Sequence, residues 1–187
     1  NMDLQNKAEE VVAKNLRNVQ RAGGTTAALV NEEVETGQIV SLVGGVDFND
    51  PDHGKNNYAS SIKIPPGSSF KPYDYAASIN NNNNVGAGSV LYDDLGPLPG
   101  YPCTNKTRPP PKGQGNCLND YDFKTPGPVT LRYSLGGSRN IPAVKSMLSA
   151  VPNDTSEGKV KSINKTISTA SAMMANKYND SRKKSSY

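Results

Sequence analysis

The 187-residue chain has no tryptophan, a single histidine, two cysteines and only 34% hydrophobic residues. Each scarcity excludes something. No stretch approaches the ~18 consecutive apolar residues that span a bilayer, so no integral membrane span is expected. No signal peptide is expected at its start. The repeats of a coiled coil or a collagen-like fibre are absent too. His53 lies among Asp, Asn, Gly and Pro; a Ser-His-Asp relay must hold its base against a nucleophile, and none is expected here. With one histidine to complement two cysteines, a metal site is not expected either, and no cofactor is called for. The charge balance is +4, from 21 basic and 17 acidic residues. Nucleic-acid binding needs a concentrated basic stripe, so no nucleic-acid partner is expected. The one dense cluster, Arg182-Lys183-Lys184, reads as part of a solvated tail over 178–187.

What is present is turn-forming: 17 glycines and 14 prolines. Amphipathic segments nevertheless argue against disorder, and the length suits one domain. Leu4, Ala8, Val11, Val12, Leu16 and Val19 recur at helical spacing, which predicts a helix over 3–21, with Asp3 as its cap and Gly23-Gly24 as its stop. Two β-prone runs, 27–30 and 39–43, flank the turn at 35–38 and predict a hairpin within 26–45. The acids between Asp47 and Lys55 suggest a calcium loop, but Pro51 occupies a ligand place and no glutamate follows at the twelfth; the segment reads as a solvated loop. A helix is predicted over 67–79, stopped by the five asparagines Asn80 to Asn84. Residues 96–128 form a proline-rich excursion. Short helices are predicted within 129–150, the first starting at Val129, and a last one from Asn164 to Lys177.

Cys103 and Cys117 lie in that excursion. A disulfide closing the loop would contribute about 3 kcal/mol and would imply an oxidising, extracytoplasmic compartment. Two free thiols are the alternative. The element order fits an α+β fold with helices against an antiparallel sheet, although two strands are too few for a stable sheet.

Without histidine, a hydrolase or acyltransferase needs another base. Ser68 and Lys71, at i and i+3 of a predicted helix start, share a face, so the amine can reach the serine hydroxyl. The positive end of the helix dipole favours the alkoxide, and burial lowers the pKa of the lysine towards that of a base. The bare Ser-x-x-Lys pattern is weak, since a capping serine and a solvated lysine look the same. Its context, Pro-Gly before and a helix after, adds weight. Ser138 and Asn140, two apart in a tight turn, can face one cleft, where the serine relays a proton and the amide holds a carbonyl or the lysine.

These residues resemble the transpeptidase domain of class A penicillin-binding proteins. Thr36-Gly37-Gln38-Ile39-Val40-Ser41-Leu42-Val43-Gly44-Gly45 resembles the family's opening hairpin, Pro66-Gly67-Ser68-Ser69-Phe70-Lys71-Pro72 its active-site helix, and Gly127-Pro128-Val129 leading into Ser138-Arg139-Asn140-Ile141-Pro142 its second motif. The likeness covers roughly residues 2–150. It implies a penicillin-binding-protein/serine β-lactamase-like α+β fold, incomplete over 1–187, and a D,D-transpeptidase. Ser68 would be the acylated nucleophile, Lys71 its base, Ser138 a proton shuttle, and Asn140 would position the donor. The implied partners are peptidoglycan stem peptides ending in D-Ala-D-Ala and β-lactams. The implied setting is the extracytoplasmic face of the bacterial cell membrane, with an anchor and a glycosyltransferase domain in the parent protein.

One departure stands out. The family's third motif, Lys-Thr-Gly, occurs nowhere in these residues. The strand bearing it would supply an oxyanion-hole donor, and losing one costs about 2.7–4 kcal/mol of transition-state stabilisation, so weak activity is expected of this chain alone. A D,D-carboxypeptidase or β-lactamase, or a non-catalytic wall-binding module, are the alternative readings.

Overall fold

A computed structural model describes residues 1–107, 109, 115–151 and 155–173. The expected basic tail, and the last turn of the helix expected to reach Lys177, lie outside them. The chain forms two compact units, Asn1–Pro65 and Pro66–Tyr187.

In the first unit, helix α1 (Met2–Arg21) packs on a two-stranded antiparallel sheet of β1 (Leu29–Glu32) and β2 (Ile39–Val43). Asn1, not Asp3, caps the helix: its Oδ1 accepts the amides of Asp3 and Leu4, which leaves Asp3 to favour the first turn through the dipole. Ala8 and Val12 bury against Val43, with Ala27, Leu29 and Val46 around them. Gln5 does what a neighbouring strand would do. Its amide both accepts from Leu42 N–H and donates to Leu42 C=O at 2.9 Å, so one edge of β2 is satisfied by a side chain.

The second unit opens with a 3₁₀ turn, Gly67–Phe70, that runs into α2 (Lys71–Asn81). Ser68 therefore sits on a tighter turn than the expected α-helix start. β3 (Val90–Asp93) and β4 (Gly127–Thr130) pair antiparallel, Val90 opposite Thr130 and Asp93 opposite Gly127. This second sheet is a correction, because residues from Val129 read as helical in the sequence. Thr130 ends the strand and caps α3 (Leu131–Gly136), its Oγ1 accepting from Tyr133 N–H. Helix α4 (Asn140–Leu148) follows, then α5 (Ser156–Ala172), which begins eight residues before the expected Asn164.

Helix α2 packs on both α4 and α5. The contacts are made by small residues: Ala77, Ser78, Ser146 and Ala150 are fully enclosed, and α5 turns Gly158, Ser162, Thr166, Thr169 and Ala170 inward. The hydroxyls of Thr166 and Thr169 cost little there, since each donates to the carbonyl four residues back. Tyr75, Leu131 and Ala143, with Val85 and Leu91, form the apolar core joining α2, α3 and α4 to β3. That core fixes the first turn of α2 opposite the start of α4. Among the described residues no helix is long and apolar enough to cross a membrane.

Candidate active site

The side chain of Lys71, 7% exposed, extends from the first residue of α2 to the turn before α4. Its Nζ lies 2.6 Å from Asn140 Oδ1, 3.1 Å from Ser138 Oγ and 2.5 Å from the Ser138 carbonyl oxygen. Three of the four residues singled out from the sequence thus meet at one nitrogen. Burial lowers the Lys71 pKa below its usual 10.5; the charges of Asp120 and Asp74 work against that shift, and Arg139 adds to it. The amine therefore gives up its proton more readily at this site than in water.

The three contacts are not equivalent. The Ser138 carbonyl and the Asn140 Oδ1 can only accept, whereas the Ser138 hydroxyl can accept or donate. A charged Lys71 donates all three of its hydrogens. A neutral one keeps the carbonyl and amide contacts with its two hydrogens, and receives a hydrogen from Ser138 or from another hydroxyl brought to the same lone pair.

Ser68 is the fourth candidate. It is exposed on the 3₁₀ turn one turn before Lys71, and its hydroxyl makes no hydrogen bond among the described residues. The direct Ser68–Lys71 hydrogen bond expected from i, i+3 spacing is not formed. In a 3₁₀ turn i and i+3 eclipse, but Lys71 is drawn away to the second motif. The turn itself is set by Gly67, whose φ of +54° suits glycine, and by Ser69, whose Oγ donates to the Pro66 carbonyl. Pro66 and Phe70 also line an open apolar cleft of about 290 Å³ with Met147, Ile163, Thr166 and Ile167.

Ser138 has a φ of +49°, which costs a non-glycine residue about 1–2 kcal/mol. Its neighbours hold it there. Arg139, 5% exposed, donates through Nε to Asp93 Oδ2 (2.6 Å), through Nη1 to Asp122 Oδ1 (2.9 Å) and through Nη2 to the Lys124 carbonyl (2.6 Å). Asn140 is fixed at both ends: its backbone N–H donates to Asp120 Oδ1, and its Nδ2 donates to the Asn119 carbonyl at 2.7 Å. With the donor side of the amide taken, Oδ1 must face Lys71.

Asn119, Asp120, Asp122 and Lys124 belong to the excursion between β3 and β4, and Cys103 and Cys117 are joined by a disulfide within it. Burial works against the charge on Arg139, but the hydrogen bonds and charges of the three aspartates outweigh it and hold the guanidinium protonated. None of Asp93, Asp120 and Asp122 carried a local signal in the sequence. The available hint was an arginine in a tight turn, a residue that can be buried only when it is paired.

Asp74, one turn after Lys71 and also buried, has an Oδ1 with no hydrogen-bond donor among the described residues. Burial raises its pKa to about 7, against the opposing pull of Lys71. His53 lies in the other unit, half-buried, with its Nδ1 3.3 Å from Asp50 Oδ1.

No family model matches the chain. Penicillin-binding protein 1A of Neisseria lactamica is 32% identical over 123 residues, which are 65% of this chain and 14% of that protein. Penicillin-binding protein 1A/1B of Bacillus subtilis (strain 168) is 37% identical over 103 residues, 54% of this chain and 10% of its own length. Among solved structures, penicillin-binding protein 1A from Haemophilus influenzae superposes with a TM-score of 0.53 at 26% identity, over 74% of this chain and 18% of that one. The chain thus spans a small part of each relative.

Proposed function

Because the chain belongs to the class A penicillin-binding proteins, we propose that it carries the nucleophile and second-motif part of a peptidoglycan D,D-transpeptidase. The observation that carries this reading is the buried Lys71 amine, held against Ser138 Oγ and Asn140 Oδ1 one turn from Ser68. In the reaction, Ser68 Oγ attacks the carbonyl of the penultimate D-Ala of a stem peptide as its proton passes to neutral Lys71. Ser138, the one partner of Lys71 able both to accept and to donate, hands that proton to the departing D-Ala amine. An amine of a neighbouring stem then takes the acyl group from Ser68 and regenerates the hydroxyl. Asn140 steadies the lysine, and through it the donor peptide. β-Lactams acylate the same serine. On this reading the protein works on the extracytoplasmic face of the bacterial cell membrane, and the whole protein adds an anchor and a glycosyltransferase domain.

The reading asks one rearrangement of the site: Ser68 must turn onto the lone pair of Lys71 when substrate arrives. Catalytic hydrogen bonds of unliganded sites often form only in the complex. The alternative, a non-catalytic wall-binding module, draws on the same feature, the absence of a Ser68–Lys71 hydrogen bond. Incubation with a fluorescent penicillin separates the two. Slow labelling that disappears in Ser68→Ala and Lys71→Met supports the transpeptidase part. Labelling unaffected by Ser68→Ala, or none at millimolar probe over hours, favours the binding module.

A further inference from the structure

We propose that Asp93 and Asp120 share a single proton as a carboxyl–carboxylate pair, and that this pair is the positioning device holding Ser138 and Asn140 against Lys71. Its meaning for catalysis rests on the transpeptidase reading; the pair itself does not. The two side chains converge on Arg139 from different segments, Asp93 from the end of β3 and Asp120 from the disulfide-bearing excursion. They are 0% and 2% exposed.

Each has one oxygen spoken for. Asp93 Oδ2 takes the Arg139 Nε hydrogen, and Asp120 Oδ1 takes the backbone N–H of Asn140. Among the described residues the other two, Asp93 Oδ1 and Asp120 Oδ2, are buried with no hydrogen-bond donor, although Asp120 Oδ2 lies 3.3 Å from Arg139 Nη2. Buried polar atoms are seldom left so. The side chains of Asp93 and Asp120 are within hydrogen-bonding reach of each other, and a proton between them satisfies both atoms at once.

Charge leads to the same place. Arg139 brings one positive charge to three carboxyls. Asp122, partly open to solvent, stays ionised: the Lys124 N–H that donates to it holds its pKa down. Two enclosed carboxylates side by side cannot both ionise cheaply. Burial, with a contribution from Asp120, raises the Asp93 pKa to about 6. The other titratable groups facing the pair are Lys71 and Tyr75 on α2; Tyr75 stays neutral, its own pKa raised by burial.

The test uses amide replacements in the full chain. In Asp93→Asn the new amide still accepts from Arg139 Nε and donates to Asp120 Oδ2, as the shared proton did. In Asp120→Asn the oxygen still accepts from Asn140 N–H and the amino group donates to Asp93 Oδ1. Each single variant is expected to keep Ser68 labelling within about threefold of wild type, because no buried charge loses its partner. The double variant sets two amino groups face to face and strips Arg139 of the pair's negative charge, and should label at least about tenfold more slowly. Single variants as impaired as the double would overturn the proposal.

Carboxyl ¹³C NMR supplies a readout independent of activity. One carboxyl of the wild-type pair should keep its proton above about pH 5, and Asp93 should titrate lower once its partner is replaced in Asp120→Asn. Two independent wild-type titrations in the ordinary range would also overturn it. Absence of any Ser68 labelling in the wild type would sink the transpeptidase reading instead, and the NMR titration would still decide the pair.

Discussion

Replacing Asp74 with asparagine should make the protein more stable, and by an amount that grows with pH. The carboxyl is buried one turn from Lys71, with one oxygen lacking a donor among the described residues, and burial moves its pKa from 3.8 to about 7. The folded value lies above the unfolded one, so the native state holds the extra proton. The stability this provides is fully present below 3.8 and is lost as pH rises through about 7. At about 1.4 kcal/mol for each pH unit in that window, the loss approaches 4 kcal/mol above pH 7. Asparagine is nearly isosteric and does not titrate, so it removes the loss. Lys71 works in the opposite sense, because its pKa is lowered on folding and the native state releases a proton; removing the Asp74 charge lowers it further. Urea unfolding should therefore give nearly equal stabilities near pH 4 and an advantage for Asp74→Asn of about 2–4 kcal/mol at pH 8. For a chain of this size that is roughly 4–15 °C in Tm. An advantage that does not change with pH, or a less stable variant at pH 8, would refute the reasoning.

Three further outcomes follow from the same contacts. Arg139→Met leaves Asp93 and Asp120 buried without their cation and should cost about 3–5 kcal/mol in chemical denaturation; a loss below 1 kcal/mol would mean that Arg139 is not the anchor of the Ser138–Asn140 turn. Reducing the Cys103–Cys117 disulfide should lower stability by about 3 kcal/mol, read by thermal melts with and without reductant, and should slow penicillin labelling, since the same excursion delivers Asn119 and Asp120 to Asn140. Gly67→Ala places a side chain at positive φ and should cost about 1–2 kcal/mol; a Cβ there meets no neighbour, so an unchanged melting temperature would show that the turn relaxes freely.

Much of the first unit was legible because its signals are local. The helical spacing of Ala8 and Val12 and the paired β-prone runs state their partners within about forty residues. The second unit was legible where chemistry is concentrated and obscure where packing is made of small polar residues. The buried face of α5 is glycine, serine and threonine up to Ala170, so no apolar period marks its first two turns. β4 contains Gly127 and Pro128, which read as turn formers until β3 pairs with them. Among the candidate catalytic residues, the spacing of Lys71, Ser138 and Asn140 anticipated one meeting point. It did not anticipate that the lysine would lean to the second motif and leave the Ser68 hydroxyl without a hydrogen bond among the described residues. The aspartates that hold Arg139 come from 17 to 46 residues away in sequence, and no local pattern announces such contacts.

The most direct measurement is the titration of the Lys71 side chain, followed by NMR with lysine ¹³Cε labelling and assigned with Lys71→Met. A base for Ser68 requires an amine that gives up its proton more readily than a lysine in water, so Lys71 should titrate below 10.5. A Lys71 that titrates at or above 10.5, locked as an ammonium on Ser138 and Asn140, would contradict the account.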